Sequence, residues 1–125
     1  MDVLEMRERI APAEIAALVD HFYERVRDDD VLGPVFASRI EPDAWPRHLE
    51  TMRSFWSTAL IGAGTYRRDP MVAHQGIDDI GRVHFERWLS LFEVVAHETF
   101  ADDIAVAIMQ RANRMGDRLT KSLAL

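Results

Sequence analysis

The spacing of the apolar residues is the feature that most restricts what this chain can fold into. Along four long segments they recur every three or four positions, which places them on one face of a helix. No stretch alternates apolar and polar residues with the period of two that a half-buried β-strand shows. The sequence therefore predicts an all-α fold in which amphipathic helices pack their apolar faces together.

Helix-capping and helix-breaking residues indicate where these four helices begin and end. The first is predicted to start at Pro12 and to stop at the acidic run 28–30. The second is expected to start near Asp43, as its N-cap, and to end before Gly62. An aspartate of the pair 78–79 is expected to cap the third helix.

The apolar faces of the four helices are the candidate core. The first face consists of Ile15, Leu18, Val19, Phe22, Tyr23 and Val26. The second consists of Trp45, His48, Leu49, Met52, Phe55, Trp56, Ala59 and Leu60. The third consists of Val83, Phe85, Trp88, Leu89, Phe92 and Val95, and the fourth of Ile104, Ile108, Met109, Ala112, Met115 and Leu119. Between the first two helices, the Gly33-Pro34 pair is expected to prevent a regular helix and to form a buried corner.

Length and charge narrow the class of protein further. A chain of 125 residues is expected to form a single domain, residues 1–125, with a real core. With 21 acidic against 15 basic residues the net charge is −6, so nucleic acid is not an expected partner. No apolar run approaches the roughly 18 residues of a membrane span, and no secretory signal is visible, so a cytoplasmic location is expected.

The five histidines are the candidate metal ligands, because the chain has no cysteine. They are His21, His48, His74, His84 and His97. Neither the paired Glu-x-x-His motifs of di-iron bundles nor the His-Glu-x-x-His motif of zinc enzymes occurs. The pattern therefore argues against a cluster of protein ligands around a bare ion.

His74 stands out because it lies in a breaker-rich connector, residues 69–76, between two strongly apolar helical segments. A neutral imidazole beside an apolar pocket suits a haem iron, which already has four nitrogens from its macrocycle and needs one axial ligand. On the residues alone, His74 could also be a surface or structural histidine, as most histidines are, and His84 is the rival axial ligand.

The order and spacing of several short segments resemble the truncated haemoglobins of group III. The segments are Phe22-Tyr23-Glu24-Arg25-Val26, Leu32-Gly33-Pro34-Val35-Phe36, Trp45 with His48, Phe55-Trp56, His74, and His84-Phe85-Glu86-Arg87-Trp88-Leu89 followed by Leu91-Phe92. The glycine pairs of groups I and II are absent, since Ala63 separates Gly62 from Gly64. This departure favours group III over its sibling groups.

The resemblance implies a shortened globin fold, a two-over-two helical sandwich with haem b (iron protoporphyrin IX) between the helix of His48 and that of Trp88. His74 would be the proximal ligand, because the family has that ligand before the helix of His84. Tyr23 and Trp88 would be distal donors to a ligand on the iron, and His48 a distal gate. Each of these distal residues also has a structural interpretation, as a core or helix-rim side chain.

Further residues are expected to line the haem. Phe36 resembles the corner aromatic residue that packs on the porphyrin in globins, with simple core packing as the alternative. Arg68 could meet a haem propionate together with Arg67, although an exposed arginine pair is the commoner explanation. The full expected set is Phe22, Phe36, Leu49, Met52, Phe55, Arg68, Ile77, Phe85 and Phe92.

The function expected from this resemblance is binding of dioxygen and other diatomic ligands, with nitric oxide, carbon monoxide and cyanide as further iron ligands. Nitric oxide detoxification and peroxide-linked redox chemistry are the candidate activities, and the sequence does not choose between them. A reductase would be a separate partner, since the chain shows no flavin or nicotinamide motif. The alternative is a haem-free, globin-like interaction or sensor module.

Overall fold

In the computed structural model of the chain, residues 1–66, 74 and 80–125 are described. These residues form α-helices and one short 3-10 turn, and no strand occurs among them. The α-helices, numbered in chain order, are α1 (Val3–Arg9), α2 (Pro12–Asp28), α3 (Leu32–Ala37), α4 (Trp45–Ile61), α5 (Arg82–Thr99) and α6 (Asp102–Ser122). The all-α prediction is confirmed.

Helix α2 begins where the sequence predicts. Pro12 is its first residue, where a missing N–H costs nothing, and the Glu14 side chain accepts the Ala11 N–H at 2.8 Å. The six apolar residues expected on its inner face, from Ile15 to Val26, are all buried. This helix places Phe22 and Tyr23 side by side in the core.

The corner after α2 differs from the expectation. Residues 32–37 do form a helix, α3, although Gly33 and Pro34 lie within it. Pro34 is tolerated because it stands in the first turn, where backbone N–H groups have no intrahelical partner. Gly33 is needed for close packing, since a Cβ there would lie 2.9 Å from the Arg27 carbonyl oxygen.

Helix α4 ends at the predicted glycine but begins slightly later than expected. Asp43 lies in the 3-10 turn Pro42–Ala44, and α4 starts at Trp45 without a side-chain cap. Gly62 closes the helix in the left-handed conformation, with φ of 65°. The sequence did not predict α1, whose Arg7 Nε donates to the Ile61 carbonyl oxygen at 2.9 Å and satisfies the end of α4.

The four long helices form a two-over-two sandwich, as the resemblance implies, in which α2 packs on both α4 and α5, and α5 packs on α6. Trp56 of α4, Phe22 of α2 and Phe92 of α5 are fully buried at the centre. The Trp56 and Phe92 rings stack with centroids 4.7 Å apart, and Phe22 meets Phe92 edge to face at 5.1 Å. Among the described helices, none is both long enough and apolar enough to cross a membrane.

Candidate functional site

A cavity of about 360 Å³ lies between α4 on one side and α5 with α6 on the other. Its volume falls within the range of small-molecule and cofactor sites. The wall is largely apolar, with a few polar side chains at defined places. Of the residues expected as axial ligand, distal residues or haem lining, eight contribute to it: Tyr23, Phe36, His48, Met52, Phe55, His74, Phe85 and Trp88.

Tyr23 and Trp88 place two hydrogen-bond donors on this wall. Tyr23 is only 3% exposed, and burial strongly raises the pKa of its hydroxyl. The nearby Trp88 indole N–H acts on the same oxygen and lowers that pKa, but by less than burial raises it. The Tyr23 hydroxyl therefore keeps its proton and can donate it to a ligand, while the indole N–H lies close to the same point.

Trp88 is held by ring contacts on several sides. Phe22 meets it edge to face with centroids 4.9 Å apart, and Phe92 stacks on it at 4.9 Å. Trp56 lies parallel to it at 6.2 Å. These contacts fix the plane of the indole and so the direction of its N–H.

His48 is surrounded by three aromatic rings. Its imidazole meets Tyr23 at 5.1 Å and Trp45 at 5.4 Å, both nearly perpendicular, and Phe36 at 6.4 Å. Burial lowers the pKa of His48, so the neutral ring is favoured. Its Nε2 is buried and has no hydrogen-bond partner. A buried polar atom without a partner is a group that a bound ligand can satisfy.

The two rival axial histidines both lie on the cavity wall, but their environments differ. The Nδ1 of His84 accepts the Gly81 N–H at 2.8 Å and so caps the start of α5. A neutral imidazole that accepts at Nδ1 carries its proton on Nε2 and has no lone pair there for a metal. His74, whose ring lies 6.5 Å from that of Phe85, is not part of this cap.

The remaining residues of the expected haem-lining set lie elsewhere. Phe22 and Phe92 are fully buried and pack behind Trp88 rather than on the wall. Leu49 lines a second hollow, between α2 and α4. Arg68 and Ile77 lie outside the described residues, as do Arg67 and residues 78–79. The prediction that one of these two aspartates caps the third helix is wrong, because the N-cap of α5 is Gly81.

The cavity is also lined by residues that the sequence did not identify as part of a site. Arg39 and Tyr66 contribute to it, and the Tyr66 ring meets Phe55 edge to face at 5.0 Å. From α6 come Ala112, Met115, Gly116 and Leu119. The spacing of these four does predict one helix face, but nothing in the spacing distinguishes a cavity wall from core. In the part of the chain that the structure describes, no three His, Asp or Glu residues are grouped as a metal site.

Comparisons with known proteins agree with this arrangement. The family model for bacterial-like globins matches residues 8–120, and the chain belongs to that family. It is 32% identical over 118 residues to the group 3 truncated hemoglobin ctb of Campylobacter jejuni, with 93% of each chain covered. A crystal structure of the group III truncated hemoglobin from Campylobacter jejuni superposes with a TM-score of 0.85, covering 91% of both chains at 32% identity.

Family membership supports haem-based binding of small ligands, and the residues present fit that group. Haem needs a largely apolar cavity and one axial imidazole, and the cavity offers His74 together with walls from five helices, α2 to α6. The partnerless Nε2 of His48 supplies a polar atom that a ligand within the cavity can satisfy. No further protein ligand is required, because the macrocycle provides the other four nitrogens.

Proposed function

We propose that the protein binds haem b through His74 and uses Tyr23 and Trp88 to hold dioxygen or another diatomic ligand. The observation that carries the proposal is that Tyr23 and Trp88, each with a hydrogen-bond donor, line the same cavity as His74. When bound, haem supplies an iron with an open coordination position for a diatomic ligand. The side chains of the cavity hold the haem, donate hydrogen bonds to the ligand and exclude water.

The distal residues act as donors and as a closure. Tyr23 and Trp88 donate hydrogen bonds to a ligand that draws negative charge, which favours dioxygen over carbon monoxide. His48, neutral within its ring of aromatic residues, excludes water from these donors, so their hydrogen bonds are made in a dry site. Its Nε2 is available to the ligand as a further polar contact.

Cationic side chains would hold the propionates at the rim of the cavity. Arg39 is exposed and contributes to the cavity wall, so its guanidinium can pair with a carboxylate at the solvent side. Arg68 remains a proposed second partner on the basis of the sequence alone. Two carboxylates at the solvent edge would then fix how deeply the macrocycle enters.

Strong donors in a dry site favour chemistry or sensing over oxygen delivery, because they slow the release of the ligand. We therefore place nitric oxide detoxification and peroxide-linked redox chemistry ahead of transport. Either activity consumes electrons, and a separate reductase that supplies them is part of the proposal. A cytoplasmic location, where such reductants are found, is part of the proposal.

Absorption spectroscopy of the haem-reconstituted protein tests the axial ligand. The wild-type chain should give a Soret band, and His74→Ala should lose haem or shift the band. The matched control is His84→Ala, which removes the α5 cap and should keep the wild-type spectrum while costing about 1 kcal/mol of stability. An unaltered band in His74→Ala, or its loss in His84→Ala alone, would contradict the assignment.

The haem-free interaction module is separated by thermal unfolding with and without haem. A ligand that binds only the native state raises the midpoint in proportion to the logarithm of its concentration. We expect such a rise in wild type and a smaller one in His74→Ala. A midpoint indifferent to haem would favour the haem-free module.

A further inference from the structure

The carboxylate of Asp29 is the most buried charged group among the described residues, with a side chain only 4% exposed. It stands just after α2 and is fully engaged. Oδ2 accepts the N–H groups of Val31 at 3.0 Å and Leu32 at 2.9 Å. Oδ1 accepts hydrogen bonds from the Nε of Arg87 at 2.8 Å and from its Nη2 at 2.5 Å. These bonds, led by those from Arg87, hold the pKa of Asp29 below its usual value against the effect of burial.

This carboxylate joins three elements that all reach the cavity. It ends α2, which carries Tyr23, and it fixes the first turn of α3, which carries Phe36. Through Arg87 it also holds α5 at the residue next to Trp88. The two distal donors are thus carried by helices that share one anchor.

The ion pair of Arg87 with Asp29 ties the first half of α5 to the end of α2 more directly than the other polar side chains in that half of α5 do. Arg82 donates to the Leu125 carbonyl oxygen at 2.7 Å, and His84 accepts from Gly81, so both are engaged away from α2. Ring packing of Trp88 on Phe22 resists separation of the helices but permits sliding along their length. Two N–H groups of Arg87 converge on one oxygen of the buried carboxylate, and this contact opposes sliding because hydrogen bonds are directional.

We propose that Asp29 and Arg87 are positioning residues that set the distance between the Tyr23 hydroxyl and the Trp88 indole N–H, and thereby the rate at which a bound diatomic ligand leaves. The inference rests on the proposed function, since it concerns the same two donors. Hydrogen bonds weaken steeply with misalignment, so a small shift of α5 along α2 is enough to weaken one donor. Neither Asp29 nor Arg87 touches the ligand.

The chain offers a matched control in a second ion pair between the same helices. Arg25 of α2 and Glu98 of α5 are 2.7 Å apart, with side chains 43% and 53% exposed. Arg87 is similarly exposed, at 47%, so the two pairs differ in the carboxylate, which is 4% exposed in Asp29. Solvent screens the pair of Arg25 and Glu98, and it contributes little to the rigidity of the helices. Glu98 also lies ten residues beyond Trp88 along α5, so its loss should not move the donors.

The test compares Arg87→Met, Asp29→Asn and the control Arg25→Met in the haem-loaded protein. Dioxygen dissociation is followed by stopped flow, and the Trp88 indole ¹H–¹⁵N resonance is recorded in the ferrous carbon monoxide form. Arg87→Met and Asp29→Asn should each accelerate dissociation about fivefold or more, the factor equivalent to one neutral hydrogen bond, and shift the indole resonance. Arg25→Met should leave both unchanged. Arg87→Lys keeps the charge but not the fork, so it should fall between wild type and Arg87→Met.

Urea unfolding separates positioning from simple stabilisation. A lower unfolding midpoint in Arg87→Met with unchanged dissociation rate and indole resonance would overturn the proposal, because the pair would then only stabilise the fold. If Arg87→Met does not fold, the same comparison is made with Arg87→Lys. If the wild-type protein does not retain haem, the proposed function fails. The positioning role is then tested on the haem-free protein, and an indole resonance of Trp88 that does not shift when Arg87 is replaced would overturn it.

Discussion

Replacing Tyr23 and Trp88 by phenylalanine, singly and together, tests whether the two donors act on one point. Tyr23→Phe removes only the hydroxyl oxygen, and Tyr23 is 3% exposed, so water cannot easily take the place of the lost donor. A hydrogen bond to a group that carries charge is worth about 2 kcal/mol. Loss of that amount accelerates dioxygen release roughly thirtyfold, since each 1.4 kcal/mol or so is a factor of ten.

Trp88→Phe should also accelerate release, but it has a second effect. The indole stacks on Phe92 at 4.9 Å and lies parallel to Trp56 at 6.2 Å, so the smaller ring loses packing as well as the N–H. Because the indole N–H acts on the Tyr23 oxygen, the two donors are coupled. The fold-increase in the dissociation rate of the double variant should therefore be smaller than the product of the fold-increases of the two single variants.

The assay is stopped-flow displacement of dioxygen by excess carbon monoxide at one pH, with all four proteins checked for the wild-type Soret band. Carbon monoxide dissociation is the internal comparison, because a less polar ligand gains less from donors and should change little. A release rate in Tyr23→Phe within twofold of wild type would refute the donor role. Single factors that multiply in the double variant would refute the common point of action.

Three further outcomes follow from the packing. Gly33→Ala should lower the free energy of unfolding by about 1 to 3 kcal/mol in urea titrations, because the added Cβ would meet the Arg27 carbonyl oxygen at 2.9 Å. Gly81→Ala is the control and should not lower it, because a Cβ there meets nothing within 4 Å. Trp56→Ala should cost about 3 to 5 kcal/mol in the same assay, since that side chain is 1% exposed at the centre of the core. Burial lowers the pKa of His48 below 6.5, so the unfolded chain binds the proton more readily, and stability is full above pH 6.5 and falls below it. His48→Phe should flatten this part of the pH profile, and an unchanged profile would show that His48 does not cause it.

The helices were predictable to the extent that their causes are local. Pro12 begins α2 and Gly62 ends α4, because a proline lacks the N–H that a first turn leaves unused and a glycine accepts positive φ. The corner at Gly33 and Pro34 was predicted wrongly, since close packing on the end of α2 favours a helical turn there. Helix α1 was missed because Met6 is its one buried residue, which is too little for a periodic pattern.

The sequence by itself determined the four long helices and, through ordered aromatic and histidine residues, the globin family. It also determined most of the apolar faces of these helices, except that Val83, expected in the core, is 59% exposed on α5. Only the tertiary structure separated neighbours on one face, such as Tyr23 on the cavity wall and Phe22 in the core behind it. It also engaged His84 in a helix cap, and joined Asp29 to Arg87 across 58 positions of the chain. The physical reason is that periodicity and capping act within a few residues, whereas a cavity and a buried ion pair arise where helices distant in sequence meet.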